Sequence, residues 1–307
     1  MSKTQQIAEK LGLKVLNRLQ WRKVMLPSQV FKNGEVADLP EGELEDGVYL
    51  VEKDGQKFVL KTGKFNEREV EDNQKLGELG VPVRKVISHQ PGEYILYEYL
   101  DAPTLAQKDF WTDENIKRVL TLQTEMEEKL AVIQLTPEQV QTGKDWIGER
   151  ITKEWLNPCV PKALTEEQAQ GIRDLYTQNE ELFSDIVPVF RDNNADHYVD
   201  SGDKLAVIDV DISAKPRYYM NMRYLSWVFL NAPKEQIGDP VAWAQKWAEY
   251  LNAEPKHFAT WLVSLVGILW DIYGNEGSPW QKSDKTEDIK QVLNWVIGKL
   301  SKKEEPL

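Results

Sequence analysis

The rhythm of apolar and polar positions changes twice along this chain. At the start, Gln5 to Trp21 reads as a helix, and an irregular stretch with Pro27, Gly34 and Pro40 follows it. Between about residues 40 and 100 the apolar residues come in short runs: Val48-Tyr49-Leu50-Val51, Phe58-Val59-Leu60 and Tyr94-Ile95-Leu96-Tyr97. Runs of that length suit strands better than helices. One polar helix, opening at Arg68-Glu69-Val70-Glu71 and ending near Gly80, interrupts them. Beyond residue 101 the spacing becomes helical, with Ile116, Val119, Leu120, Met126, Leu130 and Ile133 recurring at helical intervals. Thr136-Pro137-Glu138-Gln139 opens a further helix with a capping box and proline at the first helical position, and Thr165-Glu166-Glu167-Gln168 repeats the box. The pattern predicts an α+β chain in three parts: an N-terminal helical extension over 1–39, a β-rich lobe over 40–100 and a mostly helical lobe over 101–307.

Two hairpins carry the candidate chemistry. Asp54-Gly55 between apolar runs is the strongest short-range hairpin signal, and pairing about it puts Lys61 opposite Val48, beneath a loop that contains Gly42 and Gly47. The second hairpin interrupts the helical part. Its turn is Gly202-Asp203, which sets His197 opposite Ile208 and brings His197 and Asp209 out side by side at the open end. Asp192 lies on the loop leading in. Two carboxylates and an imidazole converging on one place suit metal-dependent phosphoryl transfer.

This order of parts resembles the aminoglycoside phosphotransferase and choline-kinase-like family of the protein-kinase-like fold. The family's usual pattern is His-Gly-Asp, four residues, Asn, then a hairpin ending Ile-Asp. Here the triplet is Phe190-Arg191-Asp192, His197 stands where Asn usually stands, and the hairpin ends Ile208-Asp209. Arg68-Glu69-Val70-Glu71 followed by Gly80-Val81-Pro82-Val83 is similar to the family's Arg-Glu-Ala-Glu helix and Gly-Val-Pro-Val. Tyr94 to Leu100 is similar to its strand-to-hinge segment. The resemblance spans roughly residues 40 to 230.

The resemblance implies a β-rich N-lobe and a helical C-lobe that holds the catalytic loop and the metal-binding hairpin. It implies that Asp192 is the catalytic residue at the acceptor hydroxyl. Lys61 would grip the nucleotide phosphates, oriented by Glu69, with Glu98 and Leu100 at the adenine and Tyr97 bordering that pocket. Asp209 and His197 would be the metal ligands. The implied cofactors are ATP or GTP with Mg²⁺, or with Mn²⁺, since imidazole suits softer ions better. The implied activity moves a γ-phosphoryl group to a hydroxyl of a small molecule, an aminated sugar or amino alcohol being the acceptor class.

Two departures keep other readings open. The loop over 41–47 carries Glu41, Glu43, Glu45 and Asp46 where a triphosphate would sit, and Leu44 replaces a middle glycine. That favours a non-catalytic, nucleotide-binding pseudokinase with a regulatory role. Arg191 is the protein-kinase choice. However, only Asp211 to Arg217 separates the hairpin from the next helical stretch, which leaves little platform for a protein substrate.

Composition narrows the partners. The 307 residues include 38 basic and 50 acidic ones, a net charge of −12. That argues against nucleic acid and against an anionic membrane, and mildly favours a cationic substrate. No apolar run of about eighteen residues is present, and the first residues lack the apolar core of a secretory signal. Cys159 is the only cysteine, which suits a cytoplasmic location. The C-terminal third holds Trp227, Trp243, Trp247, Trp261, Trp270, Trp280 and Trp295, to be read as core packing or as a cation–π cage.

Overall fold

The computed structural model describes residues 2–19, 36–37, 46–63, 68–191, 193–276, 278, 280 and 283–301. Asp192, the acidic loop over 41–45 and the irregular stretch over 20–35 lie outside the described residues. In chain order the strands are β1 (Lys14–Leu19), β2 (Val36–Ala37), β3 (Val48–Lys53), β4 (Gln56–Thr62), β5 (Val86–Gln90) and β6 (Tyr94–Glu98). They are followed by β7 (Ile186–Phe190), β8 (Tyr198–Asp200), β9 (Leu205–Val207) and β10 (Ile212–Pro216). The helices are α1 (Lys3–Leu11), α2 (Arg68–Glu78), α3 (Asp113–Leu130), α4 (Pro137–Glu149), α5 (Glu166–Gln178) and α6 (Glu180–Phe183). Then come α7 (Tyr219–Asn231), α8 (Lys234–Ile237), α9 (Pro240–Tyr250), α10 (Pro255–Tyr273) and α11 (Thr286–Ser301). Contacts divide the chain into two compact units.

The first unit comprises Met1–Lys23, Phe31–Asp109 and Ala195–Ile212. Its six-stranded antiparallel sheet has the order β2-β1-β3-β4-β6-β5. The helix expected from Gln5 to Trp21 is shorter than the sequence suggested. Helix α1 starts on a capping box between Ser2 and Gln5 and stops at Gly12, whose φ of 66° is the left-handed geometry that glycine adopts freely. Leu13 N then donates to Ala8 O at 2.8 Å. Beyond this stop the chain enters β1 and pairs with β3. Ile7 and Ala8 of α1 join Tyr49, Val51, Leu60 and Leu96 in one buried cluster. Helix α1 and strand β1 thus pack with this sheet unit.

The β3–β4 hairpin turns at Asp54 and Gly55, with φ of 52° and 78°, the double left-handed turn that matches strand twist. Its register pairs Val48 with Lys61. The β8–β9 hairpin turns at Gly202 with φ 95°, and Ser201 N donates to Lys204 O at 3.0 Å. This hairpin belongs to the sheet unit, not to the helical one. Val207 N donates to Pro82 O at 2.7 Å, Arg84 N to Val207 O at 3.1 Å, and Asp200 N to Pro103 O at 2.8 Å.

The second unit comprises Phe110–Asn194 and Ser213–Leu307. Among its described residues the regular structure is helical apart from the β7–β10 pair. Helix α10 is buried along most of its length, between α7 and α11. No helix among the described residues is long and apolar enough to cross a membrane. Trp227, Trp243, Trp247 and Trp261 are buried in this core, so four of the seven C-terminal tryptophans are packing residues.

Candidate functional site

Lys61 sits one residue before the end of β4, between the buried Leu60 and Thr62. Helix α2 places Glu69 in its first turn, and the side chain is almost wholly buried. The two meet at 2.6 Å, Lys61 Nζ to Glu69 Oε2. Lys61 Nζ also reaches Asp209 Oδ1 at 3.0 Å. Asp209 follows β9 and has a φ of 57°, a conformation unusual for a residue with a side chain and one that aspartate tolerates better than most. On its other oxygen, Glu69 accepts the phenol hydrogen of Tyr97 from β6. The Arg84 guanidinium lies over the Tyr97 ring, 4.2 Å from its centroid. A continuous ladder thus runs Asp209, Lys61, Glu69, Tyr97, Arg84, all within the sheet unit.

The charges sustain one another. Burial alone would pull the Lys61 ammonium down, but Asp209 and Glu69 outweigh it and hold the group above its ordinary value. Burial pushes the Asp209 carboxyl up, yet Lys61, His197 and Arg84 together hold it below the usual range. Asp209 is therefore ionised, and its side chain is 48% exposed. Burial and the Glu69 carboxylate keep the Tyr97 phenol protonated far beyond its usual range, which fixes it as a donor. Burial lowers Arg84, against support from Tyr97, Asp209, Glu69 and Glu98. The Arg84 Nε is buried without a hydrogen-bond partner.

Of the residues singled out from the sequence, Lys61, Glu69 and Asp209 come together directly. His197 ends a short 3-10 turn from Ala195, and its carbonyl accepts Ile208 N at 2.9 Å. Its side chain contributes to the field that keeps Asp209 ionised. Glu98 closes β6, and its Oε1 accepts Lys85 N at 2.7 Å, so this carboxylate is engaged in fixing the start of β5. Leu100 lies two residues further on and is half-buried. Asp192 lies outside the described residues. The neighbouring Asn193 is buried, accepts from Gln123 Nε2 at 3.3 Å and donates to the Phe190 carbonyl.

Among the described residues no group of three or more His, Cys, Asp or Glu side chains could hold a metal ion. A Mg²⁺ shared with nucleotide phosphates needs no such cage, since one or two carboxylates suffice. Asp209, ionised and half-exposed, fits that requirement.

Arg84 and Asp72 were missed from the sequence. Arg84 is the first charged residue after Val81-Pro82-Val83, and its position gave the one available signal. Asp72 is three residues after Glu69 on α2. Its Oδ2 accepts Ile212 N at 3.0 Å, tying the helix to the segment just past Asp209.

A strand lysine paired to a helix glutamate and to a hairpin aspartate is the arrangement of the protein-kinase-like fold. Solved structures agree on that fold. A thermostable variant of aminoglycoside phosphotransferase APH(4)-Ia, in a ternary complex with ADP and hygromycin B, aligns over 96% of this chain and 95% of its own. The TM-score is 0.54 and the identity 14%. ADP-bound aminoglycoside phosphotransferase APH(2'')-Ib aligns over 97% and 98%, with a TM-score of 0.50 and 14% identity. A choline kinase from Streptococcus pneumoniae aligns over 97% and 98% at a looser TM-score of 0.49 and 14% identity. No protein-family model matches the sequence, and no curated protein matches it. At these identities the likeness is one of fold. The chain has the protein-kinase-like α+β fold found in aminoglycoside phosphotransferases, with a β-rich N-terminal part and a mostly helical C-terminal part.

Proposed function

We propose that this chain is an ATP-dependent phosphotransferase that moves the γ-phosphoryl group to a hydroxyl of a small molecule. The observation that carries this reading is the Lys61 ammonium held at 2.6 Å from Glu69 and 3.0 Å from Asp209. Phosphoryl transfer asks for positioning and charge neutralisation more than for covalent help. Lys61 is a fixed cation, charged at any working pH, and suited to the nucleotide phosphates. Asp209 is an ionised oxygen ligand suited to Mg²⁺, and a divalent ion there would neutralise phosphate charge when bound. His197 stands beside Asp209 as a second candidate ligand. The backbone around Glu98 and Leu100 would receive the base. Asp192 is assigned to the acceptor hydroxyl, as proton acceptor, on the resemblance of its loop. The ADP and hygromycin B named for the APH(4)-Ia structure support a nucleotide donor and a small-molecule acceptor.

The test is ATP turnover against a panel of hydroxyl compounds, with Mg²⁺ and Mn²⁺ in parallel, for the wild type and Asp192→Ala. The wild type should transfer phosphate. Asp192→Ala should lose about 10²–10⁴-fold in rate, the usual contribution of a general base, while keeping its nucleotide affinity. ATP binding without turnover on any acceptor would favour the regulatory pseudokinase. Full activity in Asp192→Ala would remove that residue from the chemistry.

A further inference from the structure

A cavity of about 580 Å³ lies in the helical unit, between α3, the start of α7 and the α9–α10 corner, in the size range of small-molecule sites. None of Lys61, Glu69, His197 and Asp209 lines it. It lies at the Asp185 end of β7, where Arg217 N donates to Asp185 O at 2.8 Å. The five residues of β7, about 17 Å of strand, separate that end from Arg191.

Among the described lining residues are three carboxylates, Glu127, Glu128 and Glu254, against one guanidinium, Arg217. Arg217 is committed elsewhere. Its Nε donates to Asp185 Oδ2 at 2.9 Å, and Asp185, which also holds Lys256 at 2.7 Å, is not among the lining residues. The approach of Arg217 to Glu127 Oε1 is a looser 3.7 Å. Burial pushes the Glu127 carboxyl up to about 7, and Asp185 adds to the rise, against the Tyr218 N–H and Arg217. A further cation beside Glu127 would favour its ionised form.

Two buried polar side chains in the same wall have hydrogen-bonding capacity to spare. His257 is 6% exposed, and its Nδ1 accepts Glu254 N at 3.2 Å, so in the neutral ring Nε2 carries the hydrogen. Burial lowers the ring to about 4, against the pull of Glu254, which keeps it neutral at working pH. Its Nε2–H makes no hydrogen bond with any described residue. Asn221 is 3% exposed, and its amide makes one hydrogen bond, to Thr124 Oγ1 at 3.4 Å. Both residues line the cavity, and neither polar end is sealed off like the Trp247 and Trp261 indole nitrogens. Unmet buried polar groups are costly, and a ligand that meets them recovers that cost. Tyr218 joins the parts. Its ring stacks on His257 at 3.5 Å, its hydroxyl donates to Glu254 Oε1 at 2.7 Å, and its N–H donates to Glu127. It does so at a φ of 67°, a conformation unfavourable for a bulky side chain and concentrated at binding sites.

We propose that this cavity binds a small organic cation that carries an amide, its ammonium among Glu127, Glu128 and Glu254, its amide oxygen accepting from His257 Nε2 and its amide N–H donating to Asn221. α-Amino amides have that chemistry. The site is separate from the nucleotide site and does not rest on the phosphotransferase reading.

The experiment is calorimetric titration of the full chain with leucinamide, with isocaproamide, which lacks the ammonium, and with leucine, which has a carboxylate in place of the amide. Ala131 and Leu251 give the shared side chain an apolar wall. Leucinamide should bind, and the other two should bind at least roughly tenfold more weakly, since one loses a charged contact and the other brings like charge. Glu127→Gln and His257→Phe should each weaken leucinamide roughly tenfold, and the phenyl ring keeps the stack on Tyr218. Glu128 is exposed, so Glu128→Gln should weaken it about twofold to fivefold, and this surface variant decides the matter if the buried ones fail to fold. At about pH 6 the ligand amine is fully charged, so binding should release protons from Glu127, read as a dependence of the heat on buffer ionisation enthalpy. Glu127→Gln should abolish that release. Equal binding of isocaproamide or leucine, no leucinamide binding in the millimolar range, binding without proton release, or affinity unchanged in the variants that fold would overturn the proposal.

Discussion

Lys61 is the cation on which two carboxylates depend, and Glu69, with 4% of its side chain exposed, has little water to turn to if that cation goes. Removing one partner of a buried pair leaves an uncompensated charge, at a cost of about 3–5 kcal/mol where burial is complete. Lys61→Met should therefore lower the unfolding midpoint clearly. Adding Glu69→Gln to it should restore part of the loss, because the orphaned charge is gone. Denaturant unfolding of the two single variants and the double variant measures this coupling, and strictly additive effects would contradict the pairing. Lys61 was legible in the sequence because hairpin arithmetic about Asp54-Gly55 leaves no other register with the same facing residues. Arg84 was not legible. One charged residue two positions ahead of a strand reads as a solvated loop residue, and only the fold shows its guanidinium over the Tyr97 ring.

At the scale of elements, the correction at the N-terminus turns on Gly12. Apolar residues on both sides of it allowed one long helix, and the left-handed stop at that glycine, followed by pairing of β1 with β3, decided otherwise. Another element boundary carries a pH dependence. Tyr218 precedes α7 with a φ of 67° and no side-chain cap of its own. Glu127 of α3 accepts its N–H at 3.1 Å instead. Burial pushes the Glu127 carboxyl up to about 7, against the opposing effects of that hydrogen bond and of Arg217. A carboxyl raised in the folded state binds its proton more tightly there than in the unfolded chain. Its contribution to stability is thus complete below the ordinary carboxylate range and is lost as pH rises through about 7. The loss is of the order of 3 kcal/mol. Glu127→Gln keeps an acceptor for Tyr218 N and removes the titration. Urea midpoints at pH 5 and pH 8 should fall further for the wild type than for the variant, and parallel behaviour would place the titration elsewhere.

For the whole molecule, a net charge of −12 suggested a cationic substrate, yet the described residues lining a cavity of the helical unit include four cations, Arg150, Arg191, Lys215 and Arg223, and one carboxylate, Asp271. Net charge averages over a surface, whereas recognition is local. The order of strand lysine, helix glutamate and hairpin aspartate was legible because the parts follow one another at consistent spacing, although none of them is a strong signal alone. The cavity was not. Trp146 ends up beside Trp155 through a π-helical turn over Arg150–Glu154, which no residue pattern announces and which recurs at functional sites. Tryptophans that line a cavity cannot be told in sequence from those, such as Trp247 and Trp261, that fill a core.

The nucleotide site is tested most directly by calorimetric titration of ATP into the wild type, Lys61→Met and Asp209→Asn, each with Mg²⁺ and with a chelator. The wild type should bind Mg-ATP, and each variant should bind it at least roughly tenfold more weakly, since each loses a charged contact to phosphate or metal. Chelation should weaken the wild type and change Asp209→Asn little. Wild-type affinity in both variants, with or without the metal, would contradict a nucleotide site built on Lys61 and Asp209.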